Sequence, residues 1–274
     1  MSDDPGGDFV RLEFPSPGVA LVELNKPEKL NALCFPMVER LHDTLDQIAG
    51  DDDCKVVVIT GSGRGFCAGL DLGNFGLPPA VGAHRHRHAG VTGQAFLANL
   101  AQRIHDLPQI AVAAINGVAH GGGLALAASC DMRIAARSAS FASAFIKTGL
   151  SGTDVGITYF LPRLIGASHA FDLIVTGRTI DADTANRMGL VSRVVDDDAL
   201  RAESLSIAEA IAGYTKFGLR RTKEVMWHNL DASNLSSAIA LENRNQELGS
   251  LTPEVVEFMR AYSRRHRDRS TSSQ

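Results

Sequence analysis

Three consecutive glycines, Gly121-Gly122-Gly123, stand directly before Leu124-Ala125-Leu126-Ala127-Ala128, a run of small and apolar residues that reads as a helix. Bare backbone N–H groups and the positive end of the helix dipole then meet whatever occupies the turn. That arrangement stabilises an anion, either a phosphate or a carbonyl oxygen that becomes negative during a reaction. Close helix packing is the competing reading, and it accounts for two glycines more easily than for three. An earlier cluster, Gly61-Ser62-Gly63-Arg64-Gly65-Phe66-Cys67-Ala68-Gly69-Leu70-Asp71, follows the apolar run Lys55–Thr60. Its spacing is GxGxG rather than the GxGxxG of a dinucleotide site, and no convincing helix follows. A tight turn that returns the chain to its sheet is the plain alternative.

Asp154, in Gly149-Leu150-Ser151-Gly152-Thr153-Asp154, precedes the helical stretch that runs into Leu161-Pro162-Arg163-Leu164-Ile165-Gly166. A carboxylate in that place either moves a proton or caps the helix, and both readings stand. His84, His86 and His88 alternate with Arg85 and Arg87 inside Gly73–Gly93, a loop-like stretch rich in glycine, proline and histidine. No carboxylate or cysteine completes a ligand set there, so no metal is expected, and the stretch reads as a solvated loop or a basic lid. His120 reads as a packed histidine. Cys34, Cys54, Cys67 and Cys130 form no CxxC pair and are expected as reduced, buried thiols.

The elements that hold these residues are those of an α/β chain. Gly18–Leu24, Lys55–Thr60, Ile110–Ile115 and Met132–Ala135 read as strands, and the β-branched, unalternating run at Lys55–Thr60 predicts a strand covered on both faces. Pro36 opens a helix with Met37, Leu41, Leu45 and Ile48 on one face, closed by Gly50. After Leu200 strand signals stop, and helices are predicted at Ala199–Ala212, Gly218–Asn229, Ser236–Leu248 and Pro253–Arg264. We therefore divide the chain into a tail at 1–8, a core at 9–199, a helical region at 200–265 and a second tail at 266–274. No internal repeat is visible. In 274 residues with 45% hydrophobic and 21% charged side chains, disordered and collagen-like classes are excluded. A net charge of −4 gives no pull toward nucleic acid. No apolar run is long enough for a membrane span, and the acidic start, MSDDPGGDFV, is unlike a secretory signal, so a cytoplasmic location is expected.

In order, NKPEKLNAL, VVVITGSGRGFCAGLDL, AAINGVAHGGGLALAASCDMRIA, LPRLIG and TGRTIDADTANRMGLVSRVV resemble the crotonase, or enoyl-CoA hydratase/isomerase, superfamily over roughly residues 10–265. The resemblance implies a crotonase-like spiral of ββα units with a C-terminal helical region used in trimerisation. Homotrimers or hexamers, acyl-CoA thioester substrates and no cofactor beyond that thioester are likewise implied. By motif position the family's oxyanion-hole donors fall on the backbone N–H groups of Ala68 and Gly122. Lys29, Leu30, Gly69, Leu70 and Asp71 match its contacts to coenzyme A, and the His84–His88 stretch could lie beside the coenzyme A phosphates.

Departures from the family pattern carry as much information. Ala125 and Phe145 occupy the places of the two glutamates that hydratases use, and neither side chain holds a proton. Phe145 becomes an apolar wall of the substrate pocket. Asp154 is similar in position to an aspartate that dienoyl-CoA isomerases use as a base and that 4-chlorobenzoyl-CoA dehalogenases use as a nucleophile. Near Ala98, where a dehalogenase needs a histidine, this sequence has none. Proton transfer by Asp154 next to an enolate is thus the expected chemistry, with hydration surviving only if Asp154 positions water. The rival is a non-catalytic acyl-CoA-binding or carrier protein that keeps the oxyanion hole without a proton shuttle.

Overall fold

Valine- and alanine-rich runs become strands buried on both faces, and three of them, at 56–61, 110–115 and 132–136, are followed by a short second strand and then a helix. The computed structural model describes residues 8–76 and 89–271. In chain order its elements are β1 (Val10–Ser16), β2 (Val19–Leu24), α1 (Phe35–Gly50), β3 (Val56–Gly61), β4 (Gly65–Cys67), α2 (Ala89–Asp106), β5 (Ile110–Ile115), β6 (Val118–His120) and α3 (Gly122–Ser129). Then come β7 (Met132–Ala136), β8 (Ser140–Ala142), α4 (Ile157–Thr176), β9 (Ile180–Asp181), α5 (Ala182–Met188), β10 (Arg193–Val195), α6 (Leu200–Ala212), α7 (Lys216–Asn229), α8 (Leu235–Ser250) and α9 (Pro253–Thr271). Turns of 3-10 helix lie at Pro27–Lys29 and Ala144–Thr148. The chain divides into two compact units, Met1–Glu209 and Ala210–Gln274.

In the first unit, one sheet has the order β1-β2-β3-β5-β7-β10 and a second the order β4-β6-β8-β9. β1 runs antiparallel to β2 and β9 antiparallel to β8, while the other pairings are parallel. The pairs β3/β4, β5/β6 and β7/β8 each give one strand to each sheet before α2, α3 or α4 closes the unit. A ββα path therefore recurs along the chain, although no repeat is visible in the residues. What recurs is the route, and the side chains at equivalent places differ.

The predicted strands fall within one residue of those observed at β2, β3, β5 and β7. All of β3 is buried, as the continuous apolar run requires. α1 turns Met37, Leu41, Leu45 and Ile48 into the core. Two expectations need correction. The loop expected at Gly73–Gly93 ends sooner, because α2 already begins at Ala89; its histidines His84, His86 and His88 lie outside the described residues. The tail expected from 266 onward is instead helical as far as Thr271, the end of α9.

Buried Arg133 on β7 ties the unit together at the far end of α3. Its guanidinium donates to the carbonyl oxygens of Leu190 (2.7 Å) and Cys130 (2.6 Å), placing a cation at the negative end of the helix. In the second unit α7, α8 and α9 pack on one another. Met226, Leu230, Leu235, Ile239, Leu251 and Met259 there are exposed within the single chain.

Candidate active site

The turn after β2 is fastened to the loop around β4 by a side chain that motif reading passed over. Leu30 and Asn31 both adopt left-handed backbone conformations, with φ of 51° and 56°. The fully buried Asn31 carboxamide accepts from the Lys26 N–H (2.8 Å) and donates to the carbonyls of Ser62 (3.0 Å) and Gly65 (2.7 Å). Lys26 Nζ reaches Asp71 Oδ2 at 3.0 Å, and the Asn74 N–H donates to Asp71 Oδ1 at 3.1 Å. That lysine holds the Asp71 carboxyl below the usual carboxylate range. Asp71, expected as a coenzyme A contact, thus spends its carboxylate as a strut between two loops. Lys29 is exposed beside it, and Leu30 is half-buried.

The run Ala68–Asp71 bends at Gly69, whose φ is 96°, and its backbone bonds go to the Leu30–Leu33 segment. Ala68 N–H donates to Leu30 O (3.0 Å), Leu33 N–H to Gly69 O (2.7 Å) and Asp71 N–H to Leu33 O (2.9 Å), with Leu33 and Leu70 as a parallel bridge pair. The Gly69 N–H donates to the Cys67 thiol. Among the described residues, Leu70 N–H donates to no protein acceptor and, by the bridge geometry, points away from Leu33. The assignment of Ala68 as an oxyanion-hole donor is corrected here: its N–H is already committed to Leu30. Leu70, two residues on, carries the open N–H. Cys67 itself is buried, and desolvation pushes its thiol up to about 12, so it offers no thiolate near neutral pH.

Across from this run lies the start of α3. Gly121 has φ 50° and ψ −119°, a conformation that only glycine adopts readily, and it turns the chain from β6 into the helix. The Gly122 N–H opens α3 with no protein acceptor among the described residues. A Cβ on Gly69 would stand 3.4 Å from the Gly122 nitrogen, so the Leu70 segment and the helix N-terminus abut. Every residue of α3 is buried, which leaves its first N–H facing the protein interior rather than bulk water.

Adjacent glycines should respond oppositely to alanine. At Gly123 a Cβ would lie 2.0 Å from the Cys67 carbonyl oxygen, a backbone atom that cannot swing aside. At Gly122 it would meet Leu33 Cδ1 at 3.4 Å, an ordinary contact. Gly123→Ala is expected to destabilise by about 3 kcal/mol or more through overpacking. Gly122→Ala is expected to be neutral or to stabilise by a few tenths of a kcal/mol, roughly part of the glycine-to-alanine helix gain. Thermal unfolding of the two variants side by side checks this.

Phe145, in the 3-10 turn, brings its Cε1 within 3.9 Å of where a Gly121 Cβ would be, and so walls the helix N-terminus. Ala125 is fully buried in the core. His120 packs with its ring nitrogen 3.2 Å from Ser140 Oγ, and burial holds its imidazole below the usual value. Asp154 sits before α4 and bonds to α2: Gln94 Nε2 donates to its Oδ1 (2.5 Å), as does the Val155 N–H (2.7 Å). Both α2 and α4 pack on α3. The residue before α4 is Gly156, with no side-chain cap, and the Ile157 N–H goes to the backbone oxygen of Asp154. The Asp154 carboxylate therefore does not cap the helix. Among the described residues, no three His, Cys, Asp or Glu side chains gather closely enough to hold a metal ion.

The fold is thus a spiral of ββα units that sets a buried helix N-terminus against an open backbone N–H. The chain belongs to the enoyl-CoA hydratase/isomerase family, whose model matches residues 15–268, and its fold is that of the crotonase superfamily. It is 38% identical over 238 residues to the "probable enoyl-CoA hydratase EchA12" of Mycobacterium tuberculosis, covering 87% of this chain and 84% of that protein. It is 35% identical over 251 residues to the 1,2-epoxyphenylacetyl-CoA isomerase of Escherichia coli, covering 92% of this chain and 94% of the relative. The crystal structure of a "probable enoyl-CoA hydratase/isomerase" from Mycobacterium abscessus superposes with a TM-score of 0.87 at 38% identity, over 95% of this chain and 96% of that one.

Proposed function

We infer that the protein is an acyl-CoA isomerase in which Leu70 and Gly122 polarise the thioester carbonyl and Asp154 moves the proton. The Asp154 carboxylate carries this reading: Oδ1 is held by two donors, Oδ2 accepts nothing among the described residues, and helix capping does not use it. Ala125 and Phe145 offer no alternative base at the hydratase positions. The E. coli relative, named an isomerase of a coenzyme A ester, supports the same class.

In the proposed reaction Asp154 Oδ2 takes a proton from the carbon next to the thioester. The C–H electron pair moves into a new C=C bond, and the negative charge settles on the thioester oxygen between the two N–H donors. Returning the proton at the γ carbon completes a double-bond shift with no net change in atoms or electrons. Lys29, Leu30, Gly69 and the backbone of Asp71 line the coenzyme A side of the pocket, and Phe145 its acyl side. No cofactor other than the substrate's own coenzyme A is needed. The exposed apolar faces of α7, α8 and α9 support assembly as a homotrimer or hexamer. A cytoplasmic location fits the four buried, free cysteines.

The test is deuterium exchange at the α and γ carbons of saturated, enoyl and dienoyl coenzyme A esters in D2O. Exchange together with double-bond migration is the expected outcome. Formation of a 3-hydroxyacyl product as the main reaction would make the protein a hydratase. Tight binding of the esters without any exchange would make it a carrier, and either result would overturn the isomerase reading.

A further inference from the structure

We propose that Gln94 on α2 is a positioning residue that aims the Asp154 carboxylate at the substrate; this rests on Asp154 being the base. The side chains come from distant parts of the chain and meet by one contact, Gln94 Nε2 to Asp154 Oδ1 at 2.5 Å. The Val155 N–H donates to the same oxygen at 2.7 Å. With both donors on Oδ1, the carboxylate plane is fixed and the lone pairs of Oδ2 are left for a proton.

Backbone strain at the same place points the same way. Val155 has φ 47°, and Gly156 follows with φ 74°. A β-branched residue in the left-handed region is a true outlier, and strain of this kind persists only where surrounding packing over-determines it. Here the Val155 side chain is locked in the core at 3% exposure. The strained turn presents Asp154 toward α2, where Gln94 receives it.

The chemistry of the donor also fits. A carboxamide is neutral: it donates one hydrogen bond to the carboxylate oxygen without placing a charge beside it. A lysine at this place would form an ion pair and blunt the base, and a carboxylic side chain would oppose it. Gln94 is exposed, and among the described residues its side chain makes no other hydrogen bond, so its removal tests positioning with little structural confusion.

The experiment compares Gln94→Leu, Gln94→Glu and Asp154→Asn with the wild type, measuring kcat and KM of α-proton exchange, with thermal unfolding alongside. Gln94→Leu is expected to lower kcat about ten- to a hundredfold at unchanged KM and Tm, the loss typical of a misplaced reacting group. Gln94→Glu, which removes the donor and sets a like charge against the carboxylate, should also lower kcat at unchanged KM. If Gln94→Leu keeps the wild-type kcat while Asp154→Asn loses exchange, the base stands and the role of Gln94 is overturned. A rise in KM alone would overturn it too, by making Gln94 a substrate contact. Unchanged exchange in Asp154→Asn would remove the base itself, and the inference with it.

Discussion

Asp154→Asn is expected to lower α-proton exchange by about two to four orders of magnitude, the usual contribution of a positioned general base. Asparagine is nearly isosteric, and its carbonyl oxygen can still accept from Gln94 and from the Val155 N–H. The variant therefore keeps the geometry and removes only the ability to hold a proton. Stability should fall by less than about 1 kcal/mol, since the only electrostatic loss is one negative charge near the N-terminus of α4. Exchange rate and Tm measured on the same preparation separate the two effects. Unchanged exchange would move the base elsewhere. A fall in Tm of the size seen for a lost core contact would make Asp154 a structural residue whose loss of activity is indirect.

Motif order carried the fold a long way because the long strands advertise themselves. Val56–Thr60 and Ile110–Ile115 are continuous apolar runs, and burial on both faces of a parallel sheet demands such runs. The short strands were invisible for the opposite reason. β4, β6 and β8 have three residues each, too few for any alternation, and become strands only through pairing with one another. β1 was missed as well, because an edge strand with mostly exposed residues shows no buried stripe. α2 begins directly after a glycine- and histidine-rich stretch, so Gln94 carried no signal of its own; its partner lies on another element and is set by tertiary packing.

The candidate site was legible to the level of loops but not of atoms. Resemblance placed one donor in the CAGLDL segment and chose Ala68, whose N–H the structure commits to Leu30. Which N–H is open depends on register, and register is fixed by the bridge between Leu33 and Leu70. Simple alternation puts the Ala68 and Leu70 N–H groups on one side; the bend at Gly69, with φ 96°, is what turns them apart. Asn31 belonged to a motif already singled out, NKPEKLNAL, but attention went to Lys29 and Leu30 at its exposed end. A buried asparagine between two glycine-rich loops is a sound sign of a backbone staple, since its carboxamide can serve carbonyls and N–H groups at once.

Replacing a single backbone amide by an ester gives the most direct view of the oxyanion hole. With leucic acid at position 70, the Leu70 N–H becomes an ester oxygen while the side chain stays. If this N–H is one of two donors to the thioester oxygen, kcat should fall about 10²–10³-fold, equivalent to about 3–4 kcal/mol of transition-state stabilisation. The Tm should change little, because among the described residues no protein group accepts from Leu70; the structural cost is a weaker acceptor at Gly69 O, which receives the Leu33 N–H. The same exchange at position 68, with lactic acid, removes the Ala68 N–H bond to Leu30 O. That change should cost about 1 kcal/mol of stability and leave most of the exchange rate intact. The reverse pattern, with chemistry lost at 68 and kept at 70, would return the donor to Ala68 and require the loop to shift when substrate binds. The two esters sit on either side of the bend at Gly69, where the Ala68 N–H turns to Leu30 and the Leu70 N–H turns away from Leu33, so a difference between them reads out which side of that bend faces the carbonyl.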